Sequence, residues 1–334
     1  MLEAGDIITL TAGAWRLREP LASSSYGLLW TAIPAGGGQP AVLKLVNTAQ
    51  MALALPPQRQ RWTACLEAEI AFLRALHPWD QRHIVRLLDS GTHHGLPAMA
   101  LELLETDLGR HLDAMRTCGG TPSFRQALAW TSQANQALAK VHQYGWRHLD
   151  LKPSNLLVDA GGALRLADFG TNRLLTDRAA HSYTGTASWQ APEQFFPESG
   201  GGYLTDARSD YFALGALLYH IVTGTMLRFC SACATAWREH GIAGAAVLRD
   251  GKQGRLPAIL APDEAALFLR HALRDEGQAT ATAGEAALGL LRALLAPRPE
   301  GRPRHALEIS RLIDRARAAC LAPGAEHAGL RSAA

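Results

Sequence analysis

The chain has 334 residues, room for about two domains, and its 48% hydrophobic and 19% charged residues exclude a disordered polymer. A net charge of 33 − 30 = +3, evenly spread, argues against a nucleic-acid partner. The cysteines Cys65, Cys118, Cys230, Cys233 and Cys320 are odd in number and scattered, which argues against a disulfide framework and favours a reducing, cytoplasmic setting.

The start, "MLEAGDIITL", carries acidic residues where a signal peptide would carry a basic and then an apolar run. Residues 7–46 read as strands and turns, with "PAGGGQP" as a turn before "AVLKLV". Residues 58–76 read as a helix, because Trp62, Leu66, Ile70, Leu73 and Leu76 recur at helical spacing and His77-Pro78 stops it. Short strands follow near 84–90 and 97–103, so residues 1–103 are expected to form a mainly β unit with one important helix.

From 104 the pattern turns helical. Residues 123–145 form the next helix, with Ser123 as cap and Gly145 as stop. Two apolar runs, 156–158 and 164–166, flank "DAGG" as a hairpin. Helices are expected near 192, 209, 262, 284 and 304, within a second unit over 104–318. The apolar stretch 211–227 is broken by a His and small polar residues and reads as a buried helix, not a membrane span. That argues against a receptor role. The Ala- and Gly-rich region 228–284 gives no clear elements, and 319–334 reads as a tail.

Five short motifs then stand in one order. They are Lys44 in "AVLKLV", Glu69 on the following helix, "HLDLKPSN" (148–155), "LADFG" (166–170) and "GTASWQAPE" (185–193). Any one of them could be ordinary: a strand lysine usually snorkels, and a loop aspartate usually caps a turn. Their order and spacing resemble the eukaryotic-type Ser/Thr protein kinase family over roughly residues 13–316. The resemblance implies an α+β, bilobal fold, with a small β-rich N-lobe and a larger, mainly helical C-lobe. It also implies transfer of the ATP γ-phosphate, with Mg²⁺ or Mn²⁺, to hydroxyls of a protein substrate.

Under that resemblance each residue has a role. Lys44 is a point charge for the α- and β-phosphates and Glu69 holds it; Glu67 is the rival, on a different helix face. Asp168 is a hard oxygen ligand for the metal, and Asn155 offers a neutral oxygen for a second ion. Asp150 orients the acceptor hydroxyl and takes its proton, while Lys152 neutralises the transferring phosphate. Leu21, Tyr26, Gly27, Leu29, Ala41, Leu101 and Leu157 would line the nucleotide site, and Glu102, Leu103 and Leu104 would form the hinge. Asp107 would meet the ribose or cap the next helix. Lys152-Pro153 and Thr186, which would contact Asp150, resemble the Ser/Thr-directed branch. Asp210 would bond the catalytic-loop backbone, and Arg302 would pair with Glu193.

Three departures stand out. The phosphate-covering loop has Ala22 and Ser24 where the family has glycine, and their side chains resist the close backbone approach to phosphate that glycine permits. Leu149 replaces the arginine that pairs with a phosphorylated activation segment, so activity is expected not to depend strictly on phosphorylation there. Thr176, Ser182 and Thr184 are either modification sites or solvent-facing hydroxyls. The enlarged 228–284 region would dock a substrate or partner or act as filler. Its Cys230-x-x-Cys233 pair, near His240, is a poor metal signal and more simply two small residues near a helix end. A nucleotide-binding scaffold without activity and a small-molecule phosphotransferase are the alternative functions.

Overall fold

The computed structural model describes residues 2–23, 27–251, 258–274 and 281–321. Tyr26, Ser24 and most of the expected tail lie outside the described residues. The fold is α+β. It divides into two compact units: residues up to Leu108 with Ser154–Arg173, and Gly109–Pro153 with Leu174 onward.

The first unit is built on strands β1 (Ile7–Thr9), β2 (Ala14–Ser23), β3 (Gly27–Pro34) and β4 (Ala41–Val46). Helices α1 (Thr48–Leu53) and α2 (Pro56–Ala75) follow, then strands β5 (Leu87–His93) and β6 (Leu96–Glu102). The six strands form one antiparallel sheet in the order β1-β2-β3-β4-β6-β5. Side chains alternate between its faces. One face is apolar: Trp15, Leu17, Trp30, Ala32, Ala41, Leu43, Leu45, Ala98 and Ala100 are buried together. The β3–β4 and β4–β6 registers set Leu29 and Met99 opposite Lys44, and Leu101 opposite Val42, on the other face.

Helix α2 starts at Pro56, whose missing N–H costs nothing at a helix start. It buries Leu66, Glu69, Ile70, Phe72 and Leu73. Strand β5 begins at Leu87, later than the expected 84, because Ile84 and Val85 pair with Leu166 of the later hairpin instead. In that hairpin Leu156–Val158 pairs with Leu164–Leu166. Its turn is closed by Asp159, whose Oδ1 accepts the N–H groups of Gly161 and Ala163. Thr106–Asp107 adds a third strand beside Leu157 and Val158.

The second unit is helical: α3 (Leu108–Thr117), α4 (Phe124–Gln143), α5 (Pro192–Phe195), α6 (Ala207–Thr223), α7 (Arg228–His240), α8 (Gly244–Gly251), α9 (Pro262–Ala272), α10 (Ala281–Leu294) and α11 (Ala306–Leu321). Ser123 caps α4, its side chain accepting the Gln126 N–H. Helix α6 is buried from Ser209 to Thr223 except at His220, which explains its apolar sequence. Gly215 lets α10 approach closely: a Cβ there would lie 2.8 Å from Leu294 and 2.9 Å from Leu295. Among the described residues no single helix is long and apolar enough to cross a membrane. The described parts of 228–284 include helices α7, α8, α9 and the start of α10, with a 3-10 turn at Gly241–Ala243 between α7 and α8.

Candidate active site

In the first unit, strand alternation turns Lys44 away from the apolar core face and towards α2. Its Nζ lies 2.7 Å from Glu69 Oε2 and 2.8 Å from Asp168 Oδ1. Glu69 is 1% exposed, whereas Glu67 on the neighbouring face is exposed. The second oxygen of Glu69 accepts the Phe169 N–H at 3.1 Å. Phe169 packs on Phe72, one helical turn from Glu69, with ring centroids 4.6 Å apart. One helix face therefore fixes both the lysine and the Asp168-Phe169-Gly170 turn.

Burial alone would lower the Lys44 ammonium, but the Asp168 and Glu69 carboxylates outweigh it and hold the group above the ordinary lysine range. Burial pushes the Glu69 carboxyl up, and the Lys44 ammonium and the Phe169 N–H act against that. The lysine thus stays charged beside the two carboxylates.

The other first-unit residues distribute unevenly. Gly27 and Leu29 share the Lys44 face, and so does Leu101, opposite Val42. Ala41 does not: it is fully buried in the apolar cluster with Leu43 and Leu45. A two-residue period puts Val42, not Ala41, on the face of Lys44, because neighbouring strand residues point to opposite faces. Leu21 sits at an irregularity in the β2–β3 pairing and is 41% exposed. Glu102 ends β6. Its N–H bonds the Arg86 carbonyl and its carboxylate holds Arg86 at 2.8 Å, so Leu103 and Leu104 are the residues past the strand end. Asp107 and Leu157 are directly paired.

Asp168 is a half-exposed carboxylate (49%) on a left-handed residue, φ 61°. The Ala167 N–H bonds the Asn155 carbonyl at 2.9 Å, tying the two candidate ligand segments together. Among the described residues no three His, Cys, Asp or Glu side chains gather to hold a metal. One carboxylate and one amide suit Mg²⁺, which keeps several waters and shares oxygens with phosphates. Cys230 and Cys233 do not form such a site: both are fully buried in α7, and burial pushes the Cys230 thiol up to about 12.

The second unit holds the rest. Asp150 accepts two short bonds, from Lys152 Nζ to Oδ2 at 2.7 Å and from Thr186 Oγ1 to Oδ1 at 2.7 Å. Lys152 Nζ also donates to Thr186 Oγ1 at 2.8 Å, which closes a triangle. The loop beneath is fixed by Asp210, whose carboxylate accepts the N–H groups of His148 (2.9 Å) and Leu149 (2.7 Å) and His142 Nε2 (2.8 Å). Burial raises the Asp210 carboxyl, but the contacts with His142 and His148 outweigh it and hold it below the usual aspartate value.

These ties hold Leu149 at φ 65°, a conformation that a side chain with a Cβ resists. Its carbonyl accepts Gln194 Nε2 at 2.9 Å. Gly185 sits directly against that carbonyl: at φ 94° a Cβ would lie 2.5 Å from the Leu149 oxygen. Farther out, Arg302 grips both Glu193 oxygens at 2.6 and 2.9 Å. His142 and Gly185 were not singled out from the sequence, because only contacts across tens of residues give them a role.

A protein kinase domain model matches residues 21–308. The chain belongs to the protein kinase family. The serine/threonine-protein kinase PknB of Mycobacterium leprae is 37% identical over 149 residues, 42% of this chain and 23% of that protein. The kinase pkn2 of Myxococcus xanthus is 29% identical over 218 residues, 64% of this chain and 25% of that protein. The probable kinase pknA2 of Bifidobacterium longum is 25% identical over 215 residues, 64% of this chain and 27% of that protein. The match thus covers about a quarter of the length of these kinases.

Proposed function

We propose that this chain transfers the γ-phosphate of ATP to Ser or Thr hydroxyls of a protein substrate. The observation that carries the reading is Lys44, kept charged between Glu69 and Asp168 on the sheet face shared with Gly27, Leu29, Val42 and Leu101. In this reading Lys44 binds the α- and β-phosphates, and Asp168 with Asn155 holds Mg²⁺. When bound, the metal offsets phosphate charge. Asp150 orients the acceptor hydroxyl and takes its proton, while Lys152 offsets charge on the transferring group. Thr186, bonded to both, favours the Ser/Thr direction.

The reading includes a protein substrate docking on the 228–284 region, where Ile242 (71%) and Val247 (43%) are exposed. The five cysteines are free thiols, which suits a reducing cytoplasmic setting. The test is incubation with γ-labelled ATP, Mg²⁺ and myelin basic protein, followed by phosphoamino-acid analysis. Label on phosphoserine or phosphothreonine that is lost in Asp168→Ala supports the reading. Label only on a small-molecule acceptor, or none from a folded protein that binds nucleotide, rejects it.

A further inference from the structure

Leu149 carries no charge with which to hold the segment that follows the Asp168-Phe169-Gly170 turn. A cation stands two residues earlier. The Arg147 side chain is buried, at 1% exposure. Its Nη1 donates to the Leu174 carbonyl and its Nη2 to the Asp177 carbonyl, both at 2.9 Å. The two carbonyls belong to one turn, closed by the Asp177 N–H on the Leu174 oxygen at 3.1 Å. A planar guanidinium fork matches two such acceptors, whereas a lysine is a single point charge. Burying a guanidinium is costly unless it is hydrogen-bonded, so arginine and turn hold each other.

Further ties continue along the same segment. The Leu175 N–H bonds the Gly145 carbonyl at 2.7 Å. His181 and Tyr203 exchange two backbone hydrogen bonds at 3.0 Å, and His181 Nε2 lies 2.9 Å from Thr205 Oγ1. The Tyr183 ring stacks on Trp237 of α7 at 3.8 Å, and its hydroxyl donates to Gln190 at 2.7 Å. These ties run through backbone groups and the His181 and Tyr183 side chains, not through the hydroxyls of Thr176 and Ser182. Thr176 and Ser182 meanwhile remain exposed.

We propose that Arg147 is a positioning residue that keeps residues 174–184 ordered without phosphorylation. Through that segment it keeps Thr186 on Asp150 and Lys152. The proposal rests on the kinase reading and assigns the ordering function to an arginine outside the motif.

Arg178 is exposed within this segment and offers trypsin a cleavage site. The experiment compares the rate of tryptic cleavage after Arg178 in wild type, Arg147→Met, Arg147→Lys, phosphatase-treated wild type and the Thr176→Ala/Ser182→Ala/Thr184→Ala protein. With two charge-assisted bonds lost, Arg147→Met should be cut about tenfold faster or more. Arg147→Lys should fall between, and the dephosphorylated and triple-alanine proteins should match wild type. Cleavage of Arg147→Met at the wild-type rate overturns the proposal. So does cleavage of the dephosphorylated protein as fast as Arg147→Met.

If Arg147→Met loses its cooperative thermal transition, Arg147→Gln, which retains a planar donor, replaces it under the same criteria. In kinetics, a higher KM for myelin basic protein with an unchanged KM for ATP supports the assignment, and an equal rise in both overturns it. Absence of transfer by wild type would sink the kinase reading alone, because the proteolysis arms still decide the role of Arg147.

Discussion

Replacing Gly185 with alanine should displace the loop that carries Asp150 and Lys152 while leaving the Lys44, Glu69 and Asp168 cluster intact. The new Cβ would stand 2.5 Å from the Leu149 oxygen and 3.0 Å from Gln190 Nε2, and the first of these is backbone that cannot swing aside. At φ 94° the alanine would also carry the left-handed penalty of about 1–2 kcal/mol. Moving the Leu149 carbonyl breaks its 2.9 Å bond from Gln194, and moving Gln190 breaks its bond to the Thr184 carbonyl, each worth about 1 kcal/mol. Together these cost about 3–4 kcal/mol. The assays are chemical denaturation for stability and initial rates with varied ATP and varied protein substrate. The expected result is a fall in kcat of roughly a hundredfold at near-normal KM for ATP. A stability loss below about 0.5 kcal/mol with unchanged kcat would refute the close-approach argument.

Glu69→Gln should lower kcat/KM by roughly tenfold to a hundredfold, since it removes a charge-assisted bond to Lys44, whereas Glu67→Gln should behave as wild type in the same rate assay. Arg302→Met takes the guanidinium from the Glu193 carboxylate and leaves it the Ser209 hydroxyl, with an expected loss of about 3 kcal/mol that a thermal melt would show as a fall of several degrees. Asp210 has its carboxyl held below the ordinary 3.8, so its contribution to stability is present above that value and is lost as pH falls through the folded one. Acid unfolding should accordingly be steeper in wild type than in Asp210→Asn. Iodoacetamide should alkylate exposed Cys118 in the folded protein and reach Cys230 and Cys233, buried with raised thiols, only on unfolding.

The residues that carry charge at short motifs were the most legible in the sequence. Lys44, Glu69, Asp150, Lys152 and Asp168 each sit in a pattern that is local, and the helical count from His77 back to Glu69 reaches the glutamate that the structure pairs with Lys44. Ala41 failed for a simple reason: in a strand, an error of one residue exchanges the two faces. The division into units was less legible, because residues 154–173 return to the β-rich unit by pairing with Thr106–Asp107 and with Ile84. The 228–284 region hid its helices because alanine and glycine carry little periodic contrast. Helix α10 buries Ala283, Gly284 and Ala287 as readily as leucines. Arg147 reads locally as one more charge beside a motif, and only carbonyls 27 and 30 residues onward give it a job.

The division of labour between the two sets of residues is the central claim, and Asp150→Asn tests it most directly. Mg-ATP affinity by calorimetry and phosphate transfer to myelin basic protein would be measured on the same preparation. The account predicts that the variant binds Mg-ATP as wild type does and transfers phosphate at least about a thousandfold more slowly. Transfer at the wild-type rate, or loss of nucleotide binding along with transfer, would contradict it.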